Sequence, residues 1–245
     1  MKLRDLLKDI PFTYTAVDLD IDIREVRYDS RAVQPGDLFV AVRGFATDGH
    51  AYIGMALKKG AVAVVCEQAG KGIPAVIVPD ARAALADIAG NRFDHPSRKL
   101  TMVGVTGTNG KTTTTTLIKH ILEAEGHKVG LIGTNQNMIG DEVIPTERTT
   151  PESYELQALF ARMAEAGCTH CVMEVSSHSL VLDRVRGVRF AVGAFTNLTQ
   201  DHLDFHKTME AYREAKAKLF TISDKGVINL DDPVADKMLA DATCP

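Results

Sequence analysis

Short apolar runs alternate with polar turns through the first hundred residues of the chain. Three of these runs predict buried strands: DLFVAV at 37–42, AVAVVC at 61–66 and PAVIVP at 74–79. Residues 51–61 predict a helix that ends at Gly60, and residues 80–93 predict a second one. This pattern predicts a small α/β domain, followed by a polar, proline-containing linker at 94–100.

From residue 100 the pattern becomes strand, loop and helix in repeated order. Five runs predict strands: LTMVGV at 100–105, KVGLIG at 128–133, HCVMEV at 170–175, FAVGAFT at 190–196 and GVINL at 226–230. One helix is predicted from Lys111 to Glu125, and another ends at Gly167, with Thr150 as its N-cap and Pro151 at its first position. Such alternation predicts an α/β fold with a mostly parallel sheet, which binds ligands at the carboxyl ends of its strands.

Composition narrows the class of protein. The chain has 245 residues, of which 45% are hydrophobic and 24% are charged, as in soluble globular proteins. The net charge of −4, the absence of Trp and the 6% of aromatic residues argue against a nucleic-acid surface. No apolar run approaches the roughly 18 residues of a membrane helix, and the N-terminus lacks the apolar core of a signal peptide. We therefore expect a cytoplasmic protein that binds neither nucleic acid nor membrane.

Two of the four cysteines, Cys168 and Cys171, form a C-x-x-C pair. A zinc site would require a second pair or nearby histidines at ligand spacing. Because the run that contains Cys171 predicts a strand, the structural interpretation is favoured, and redox or metal use remains the alternative.

The stretch GVTGTNGKTTTTT at 104–116 follows a predicted strand and opens a predicted helix, which is the context that a phosphate-binding loop requires. Val105 stands where the strict motif has Gly, so the loop is a variant. Gly107 and Gly110 allow backbone N–H groups to turn toward an anion. Lys111 can reach the terminal phosphates, and Thr112 can place a hydroxyl on Mg²⁺.

Downstream of GTNGKTT come PTERTTPES, MEVSSHSL, FTNLTQDHLDFH and MEAYREAKAKLF, in that order. Together with the upstream DSRAVQPGDLFVAVRG and DGHAYI, this order resembles the Mur ligases of bacterial cell-wall synthesis. The resemblance covers essentially the whole chain and is strongest to members that add the third amino acid, meso-diaminopimelate or L-lysine. It implies a small N-terminal UDP-MurNAc-binding α/β domain at 1–98 and a P-loop ATP-binding α/β domain at 99–245. Family members are considerably longer, so we expect the second domain to be incomplete, the C-terminal domain to be absent and the isolated chain to be inactive.

The resemblance implies that ATP activates the carboxylate of UDP-MurNAc-L-Ala-D-Glu as an acyl phosphate, which the incoming amine attacks. The ATP-binding residues would be Gly107, Thr108, Asn109, Gly110, Lys111, Thr112 and Thr113. Two Mg²⁺ ions are expected, and Glu174, at the end of a strand, would be a ligand of one. A buried structural acid is the alternative for Glu174, although a carboxylate that ends an apolar strand requires a cation partner.

The resemblance also implies contacts with the UDP-sugar substrate in both domains. In the first domain they are Tyr28, Ser30, Phe45, Ala46 and Thr47. In the second domain they are Arg148, Thr149, Thr150, Ser176 and Arg184. Leu182 stands where some relatives use Gln, so that contact is not carried over. Without the resemblance, isolated Ser and Thr residues would be interpreted as local caps or turns.

The segment TMEAYREAKAKLF predicts a helix from Met209 whose apolar stripe includes Lys216, with Arg213 and Lys218 further round. A lysine amine can snorkel from such a stripe to solvent. The resemblance implies instead that CO₂ carbamylates Lys216 to N6-carboxylysine, an oxygen ligand suited to Mg²⁺. Burial favours the neutral amine that reacts with CO₂.

The stretch DHLDFH at 201–206 holds two carboxylates and two imidazoles. Taken alone it suggests a transition-metal site, because His is a poor first choice for Mg²⁺. With the resemblance, His202 becomes the expected catalytic ligand of a second Mg²⁺, and Asp201 is expected to orient it. Asp204 and His206 are expected to shape the loop.

Other functions remain open at this point. One is a nucleotide- or UDP-sugar-binding module without catalysis, and another is the Mur ligase that acts on the next step. A folylpolyglutamate synthase would lack the first domain, and a GTPase is disfavoured because the chain has no N-K-x-D motif. We expect a monomer. The sequence does not decide between diaminopimelate and lysine.

Overall fold

The computed structural model describes residues 1–44 and 47–245, except for the side chain of Tyr14. The chain divides into two compact units, Met1–Asp94 and His95–Pro245. Each unit is built around its own sheet. Within the described residues, every helix is too short or too polar to cross a bilayer.

The first unit contains a five-stranded sheet with the order β1-β5-β4-β3-β2. The strands are β1 (Tyr14–Thr15), β2 (Val26–Arg27), β3 (Leu38–Val40), β4 (Ala63–Cys66) and β5 (Ala75–Ile77). Strands β2 to β5 pair in parallel, and β1 pairs antiparallel with β5. The helices are α1 (Leu3–Leu6), a 3-10 turn at Gly49–Tyr52, α2 (Ile53–Lys58) and α3 (Ala81–Arg92). The three predicted strands and both predicted helices are therefore confirmed, with shorter bounds.

Local chemistry sets the ends of these helices. The chain leaves α2 through Gly60 at φ +99°, where a Cβ atom would lie 2.8 Å from the Cα of Pro35. Only glycine combines that conformation with that close approach. Asp80 caps α3 by accepting hydrogen bonds from the backbone N–H groups of Arg82 and Ala83.

The second unit contains a seven-stranded sheet with the order β12-β11-β6-β10-β7-β8-β9. Its strands are β6 (Thr101–Thr106), β7 (Val129–Ile132), β8 (Asn137–Ile139), β9 (Glu142–Ile144), β10 (His170–Glu174), β11 (Phe190–Phe195) and β12 (Ser223–Ile228). Its helices are α4 (Lys111–Ala124), α5 (Ser153–Glu165), α6 (Ser177–Val181), α7 (Leu203–His206), α8 (Met209–Thr221) and α9 (Ala235–Asp241). The five strands from β12 to β7 are parallel, so the predicted α/β fold with a mostly parallel sheet is confirmed.

Two features of the second unit differ from the sequence prediction. Strands β8 and β9 form an antiparallel hairpin at the sheet edge, turning at Gly140, which has φ +58°. The polar segment at 94–100, expected to be a linker, contains a 3-10 helix, Pro96–Lys99, in which Pro96 and Ser97 are buried. This helix contacts α5, so the segment belongs to the packed unit.

The cysteines are free, and Cys66, Cys168 and Cys171 are buried. Burial raises the pKa of Cys66 to about 11 and also raises the pKa of the other two thiols. All three thiols are therefore protonated at neutral pH, which agrees with the structural interpretation of Cys168 and Cys171.

Candidate active site

The predicted phosphate loop connects the end of β6 to the start of α4. Gly107 has φ +147° and Gly110 has φ +82°. A Cβ atom on Gly107 would lie 1.9 Å from the Oγ1 atom of Thr196, so a side chain cannot fit there. Gly110 is the N-cap of α4 and offers no side chain to its first turn. The first-turn N–H groups therefore remain available to an anion.

Lys111 is folded back over this loop. Its ammonium group donates to the carbonyl oxygens of Gly107 at 2.9 Å and of Thr108 at 2.8 Å. Burial lowers the pKa of Lys111, and the nearby carboxylates of Glu174 and Asp201 partly oppose that shift. The loop thus carries its own cation at the mouth of the helix, where a phosphate group would accept the same hydrogen bonds.

Glu174 ends β10, the parallel neighbour of β6, and is only 1% exposed. Its Oε1 atom accepts hydrogen bonds from the Thr112 hydroxyl and the Thr134 backbone N–H, each at 2.9 Å. Its Oε2 atom accepts one from the Thr134 hydroxyl at 3.0 Å. Among the described residues, 1–44 and 47–245, no Lys or Arg forms an ion pair with this carboxylate. A buried carboxylate beside hydroxyl oxygens has the donor chemistry that a hard cation such as Mg²⁺ prefers.

Thr150 does not cap α5, so that prediction is wrong. Glu152 occupies the N-cap position, and its carboxylate accepts from the N–H of Ser153. The Thr150 hydroxyl instead donates to the carbonyl of Glu174 at 2.9 Å and accepts from the N–H of Ser176 at 3.1 Å. The hydroxyl is the hydrogen-bond partner of two main-chain groups where β10 ends. These long-range hydrogen bonds take the place of a local N-cap interaction.

The other expected substrate residues of the second unit surround this point. The Thr149 hydroxyl lies 3.0 Å from the Thr134 hydroxyl and can donate to it, and Ser176 caps α6. Arg184 donates to the carbonyl of Thr150 at 3.1 Å, and its Nε atom lies 3.4 Å from the Glu152 carboxylate. Arg184 is therefore a positioned guanidinium, while Arg148 is exposed.

Lys216 lies on the buried face of α8 and is 1% exposed. Its amine donates to the carbonyl of Gly107 at 2.8 Å and lies 4.3 Å from the centre of the Tyr212 ring. Burial, helped by the charge of Lys111, lowers its pKa to about 7. The alternative that this amine snorkels to solvent is therefore wrong. Arg213 was expected further round the helix but is also buried, because it pairs with Glu210 and Asp241.

His202 adopts a left-handed conformation, with φ +50°. Its backbone N–H donates to the Asp201 carboxylate at 2.8 Å, and its Nε2 atom lies 3.4 Å from that carboxylate. The ring meets His178 edge-on, with centroids 4.9 Å apart. His206 is buried and lies 2.8 Å from the Ser177 hydroxyl; burial and the neighbouring His178 lower its pKa to about 4.

The sequence interpretation assigned no role to several residues of this site. Thr134 joins Glu174 to Thr149, Tyr212 underlies Lys216, and His178 packs on His202. His178 lies in the stretch MEVSSHSL, which contributed to the family resemblance, but the sequence analysis gave this histidine no role. Thr134 offered no local signal, because its contacts come from strand neighbours distant in sequence.

The expected metal ligands are not gathered into a preformed centre. Thr112 and Glu174 are in direct contact, whereas His202 and Lys216 lie on the α7–α8 side of the phosphate loop. Over the described ranges, no three His, Cys, Asp or Glu side chains converge on one metal position. Mg²⁺ commonly takes one or two protein ligands and completes its shell with phosphate and water, so this arrangement fits it.

In the first unit, the Ser30 hydroxyl is buried and lies 3.6 Å from the sulfur of Met55. Tyr28 is half-buried, and Thr47 is exposed with its carbonyl accepting from Gly44. Phe45 and Ala46 lie outside the described residues. The first unit therefore supplies the hydroxyl of Ser30, the phenol of Tyr28 and an exposed turn at Thr47 as candidate substrate contacts.

Comparison with known proteins identifies the family. The Mur ligase middle domain matches residues 105–245, and the Mur ligase family, catalytic domain, matches residues 22–93. A UDP-N-acetylmuramoyl-L-alanyl-D-glutamate–2,6-diaminopimelate ligase of Caldanaerobacter subterraneus subsp. tengcongensis is 51% identical over 98% of this chain and 50% of its own. The corresponding ligase 1 of Clostridium acetobutylicum is 49% identical over 99% and 51%.

A solved structure of such a diaminopimelate ligase superposes with a TM-score of 0.83 and 29% identity, covering 98% of this chain and 49% of that one. The chain spans about half the length of the curated relatives it matches. The middle-domain match begins in β6 and takes in the phosphate loop, Glu174, His202 and Lys216. On these grounds the chain belongs to the Mur ligase family.

Proposed function

We propose that this chain forms part of an ATP-dependent ligase that joins meso-diaminopimelate to UDP-MurNAc-L-Ala-D-Glu in peptidoglycan precursor synthesis. The observation that carries the proposal is the meeting of two sets of groups at the ends of β6 and β10. The phosphate loop and the Thr112–Glu174 pair lie on one side, and Arg184 and Ser176 lie on the other. The names of the relatives favour diaminopimelate over lysine.

The phosphate loop would bind the polyphosphate of ATP. The N–H groups of the first turn of α4 and the ammonium group of Lys111 can donate to phosphate oxygens. Thr112 and Glu174 would hold one Mg²⁺, and His202 would contribute to a second. Bound Mg²⁺ supplies positive charge that stabilises the transferring phosphoryl group.

The carboxylate of the dipeptide substrate would be positioned by the guanidinium of Arg184, with Thr149, Thr150 and Ser176 nearby. One carboxylate oxygen attacks the γ-phosphorus, and the bond from that phosphorus to the bridging oxygen of ADP breaks. The amine of the incoming amino acid then attacks the acyl carbon and displaces inorganic phosphate, leaving an amide. The protein contributes chiefly by holding these groups in line.

Lys216 is proposed to carry a carbamate. Its amine is buried and its pKa is lowered to about 7, so a substantial fraction is neutral at physiological pH. A neutral amine adds to CO₂, forming an N–C bond and releasing a proton. The product replaces a buried cation with an oxygen donor beside the phosphate loop, which suits a second Mg²⁺.

The uridine nucleotide of the substrate is assigned to the first unit, through Tyr28, Ser30 and residues 45–47. This assignment rests on the family to which the chain belongs. ATP and nucleotide sugars are made inside the bacterial cell, so the reaction is placed in the cytoplasm.

The test is an assay of the full-length gene product that carries this chain. We expect ADP release that requires both UDP-MurNAc-L-Ala-D-Glu and diaminopimelate, with lysine a poor replacement. Lys111→Met should lower the rate by about a hundredfold or more, because it removes charge from the transition state. ATP hydrolysis at the same rate with and without both substrates would contradict the proposed reaction. Equal rates with diaminopimelate and lysine would contradict the assignment of the amino acid.

A further inference from the structure

A four-residue segment after β11, Thr196–Thr199, lies along the phosphate loop. Its Asn197 carbonyl accepts from the N–H of Thr108 at 2.9 Å, and its Thr199 N–H donates to the Thr108 hydroxyl at 3.0 Å. The Thr196 hydroxyl donates to the carbonyl of Asn109 at 2.8 Å. The segment therefore holds two consecutive residues of the loop through main-chain and side-chain contacts.

The side-chain amide of Asn197 makes two hydrogen bonds with the backbone of one loop residue, Asn109. Its Oδ1 atom accepts from the backbone N–H of Asn109 at 2.9 Å, and its Nδ2 atom donates to the backbone carbonyl of Asn109 at 3.1 Å. An amide side chain offers an acceptor and a donor on one planar group, in the same arrangement as the peptide group that it faces. Neither Asp nor an apolar residue of similar size could make both hydrogen bonds.

These contacts divide the N–H groups of the loop into two sets. The N–H groups of Thr108 and Asn109 are directed at Asn197 and are not available to an anion. The N–H groups that follow, at the start of α4, have no helical acceptor and no side-chain cap at Gly110. Holding the first set on the protein side fixes the direction of the second set.

We propose that Asn197 is a positioning residue for the polyphosphate of the nucleotide, acting through Asn109 without touching the ligand. The inference deepens the proposed function and rests on it, because it presupposes that the loop binds a nucleoside triphosphate. It states that the affinity for phosphate depends on the two hydrogen bonds between the Asn197 amide and the backbone of Asn109. The affinity for the UDP-sugar substrate does not depend on them.

A matched control exists in the same segment. The amide of Asn229 donates to the carbonyl of Thr196 at 2.8 Å and makes no contact with the phosphate loop. Asn229→Ala therefore removes one hydrogen bond from the segment and keeps both hydrogen bonds between Asn197 and Asn109. A segment that served only to stabilise the fold would respond similarly to Asn229→Ala and Asn197→Ala.

The experiment compares wild type, N197A, N197D and N229A in the full-length protein. We expect N197A to raise the KM for ATP and the Kd for ATP by about tenfold, with the KM for the UDP-sugar substrate unchanged. N197D should lose more, because its carboxylate cannot donate to the Asn109 carbonyl and adds negative charge beside the phosphates. N229A should stay within about twofold of wild type, as expected away from the ligand.

Hydrogen exchange of the nucleotide-free protein provides a readout that is independent of catalysis. The Asn109 amide should be protected in wild type and N229A and should exchange faster in N197A. Unchanged ATP affinity in N197A, or equal exchange in wild type and N197A, would overturn the inference alone. A wild-type protein that binds no ATP would overturn the proposed function as well.

Discussion

At the scale of single residues, Lys216 is a lysine whose amine is held inside the fold rather than in solvent. Its side chain is 1% exposed, and its amine donates to the carbonyl of Gly107 and lies over the ring of Tyr212. Burial and the charge of Lys111 favour the neutral form, and Asp201 opposes them only in part. The neutral form is a nucleophile, which gives CO₂ a reaction partner inside the fold.

We predict that Lys216 forms a carbamate whose occupancy rises with pH. The folded protein loses this proton near pH 7, whereas the unfolded chain keeps it until about pH 10.5. The neutral amine, and with it the carbamate, should therefore increase between pH 6 and 8 at fixed dissolved CO₂. Carbon-13 NMR with labelled bicarbonate should detect one carbamate signal in this range.

Lys216→Arg is the control for that measurement, because it keeps the positive charge and removes the reactive amine. The signal should be absent from the variant. A carbamate signal of equal strength in Lys216→Arg would show that another amine reacts, and the role assigned to Lys216 would be wrong.

The position of Lys216 was visible in the sequence, since the helical spacing of Met209, Tyr212, Leu219 and Phe220 placed it within an apolar stripe. The burial of Arg213 was not, because its partner Asp241 comes from α9, far along the chain. Helical periodicity finds which face is apolar, but it does not find charged partners that arrive from other elements.

At the scale of elements, the site is assembled where β6 and β10 end side by side. Thr150 ties the end of β10 to the segment before α5, through the carbonyl of Glu174 and the N–H of Ser176. Both groups are main-chain atoms of the turn that carries Glu174. The connection therefore sets where that carboxylate stands.

We predict that Thr150→Val destabilises the protein by about 1–3 kcal/mol, because it leaves two main-chain groups without their partner. Thr150→Ser keeps the hydroxyl and should cost less. Urea unfolding of both variants provides the comparison. A Thr150→Val variant as stable as wild type, with a loss seen only in Thr150→Ser, would mean that the hydroxyl contributes nothing and that packing of the methyl group accounts for the effect.

Strong apolar runs made the parallel strands predictable, and the glycines with positive φ marked helix ends at Gly60 and Gly126. The β8–β9 hairpin was missed because its strands have three residues each, too few to show a clear alternation of apolar and polar positions. Their pairing depends on β7, which supplies the edge that orders them. The cap of α5 was misassigned because a threonine before a helix fits both a local and a long-range role.

At the scale of the whole molecule, the chain consists of two units with separate sheets, and the expected functional residues are divided between them. The second unit brings together the phosphate loop, the Thr112–Glu174 pair, the histidines of α6 and α7, and Lys216. The sequence identified most of these residues through a resemblance in motif order. Their distances depended on parallel pairing of strands that are far apart in sequence, which no local pattern contains.

The most direct test of this account is the Mg²⁺ dependence of ATP binding by the full-length protein, measured by calorimetry for wild type and Glu174→Gln. The amide keeps the shape of the carboxylate and removes its charge. We expect wild type to bind ATP about tenfold or more tightly with Mg²⁺ than without it, because Thr112 and Glu174 would hold the metal next to the phosphate groups and its charge would stabilise them. Glu174→Gln should lose most of that difference. ATP binding that is indifferent to Mg²⁺, or a Glu174→Gln variant with the full wild-type response, would contradict the account.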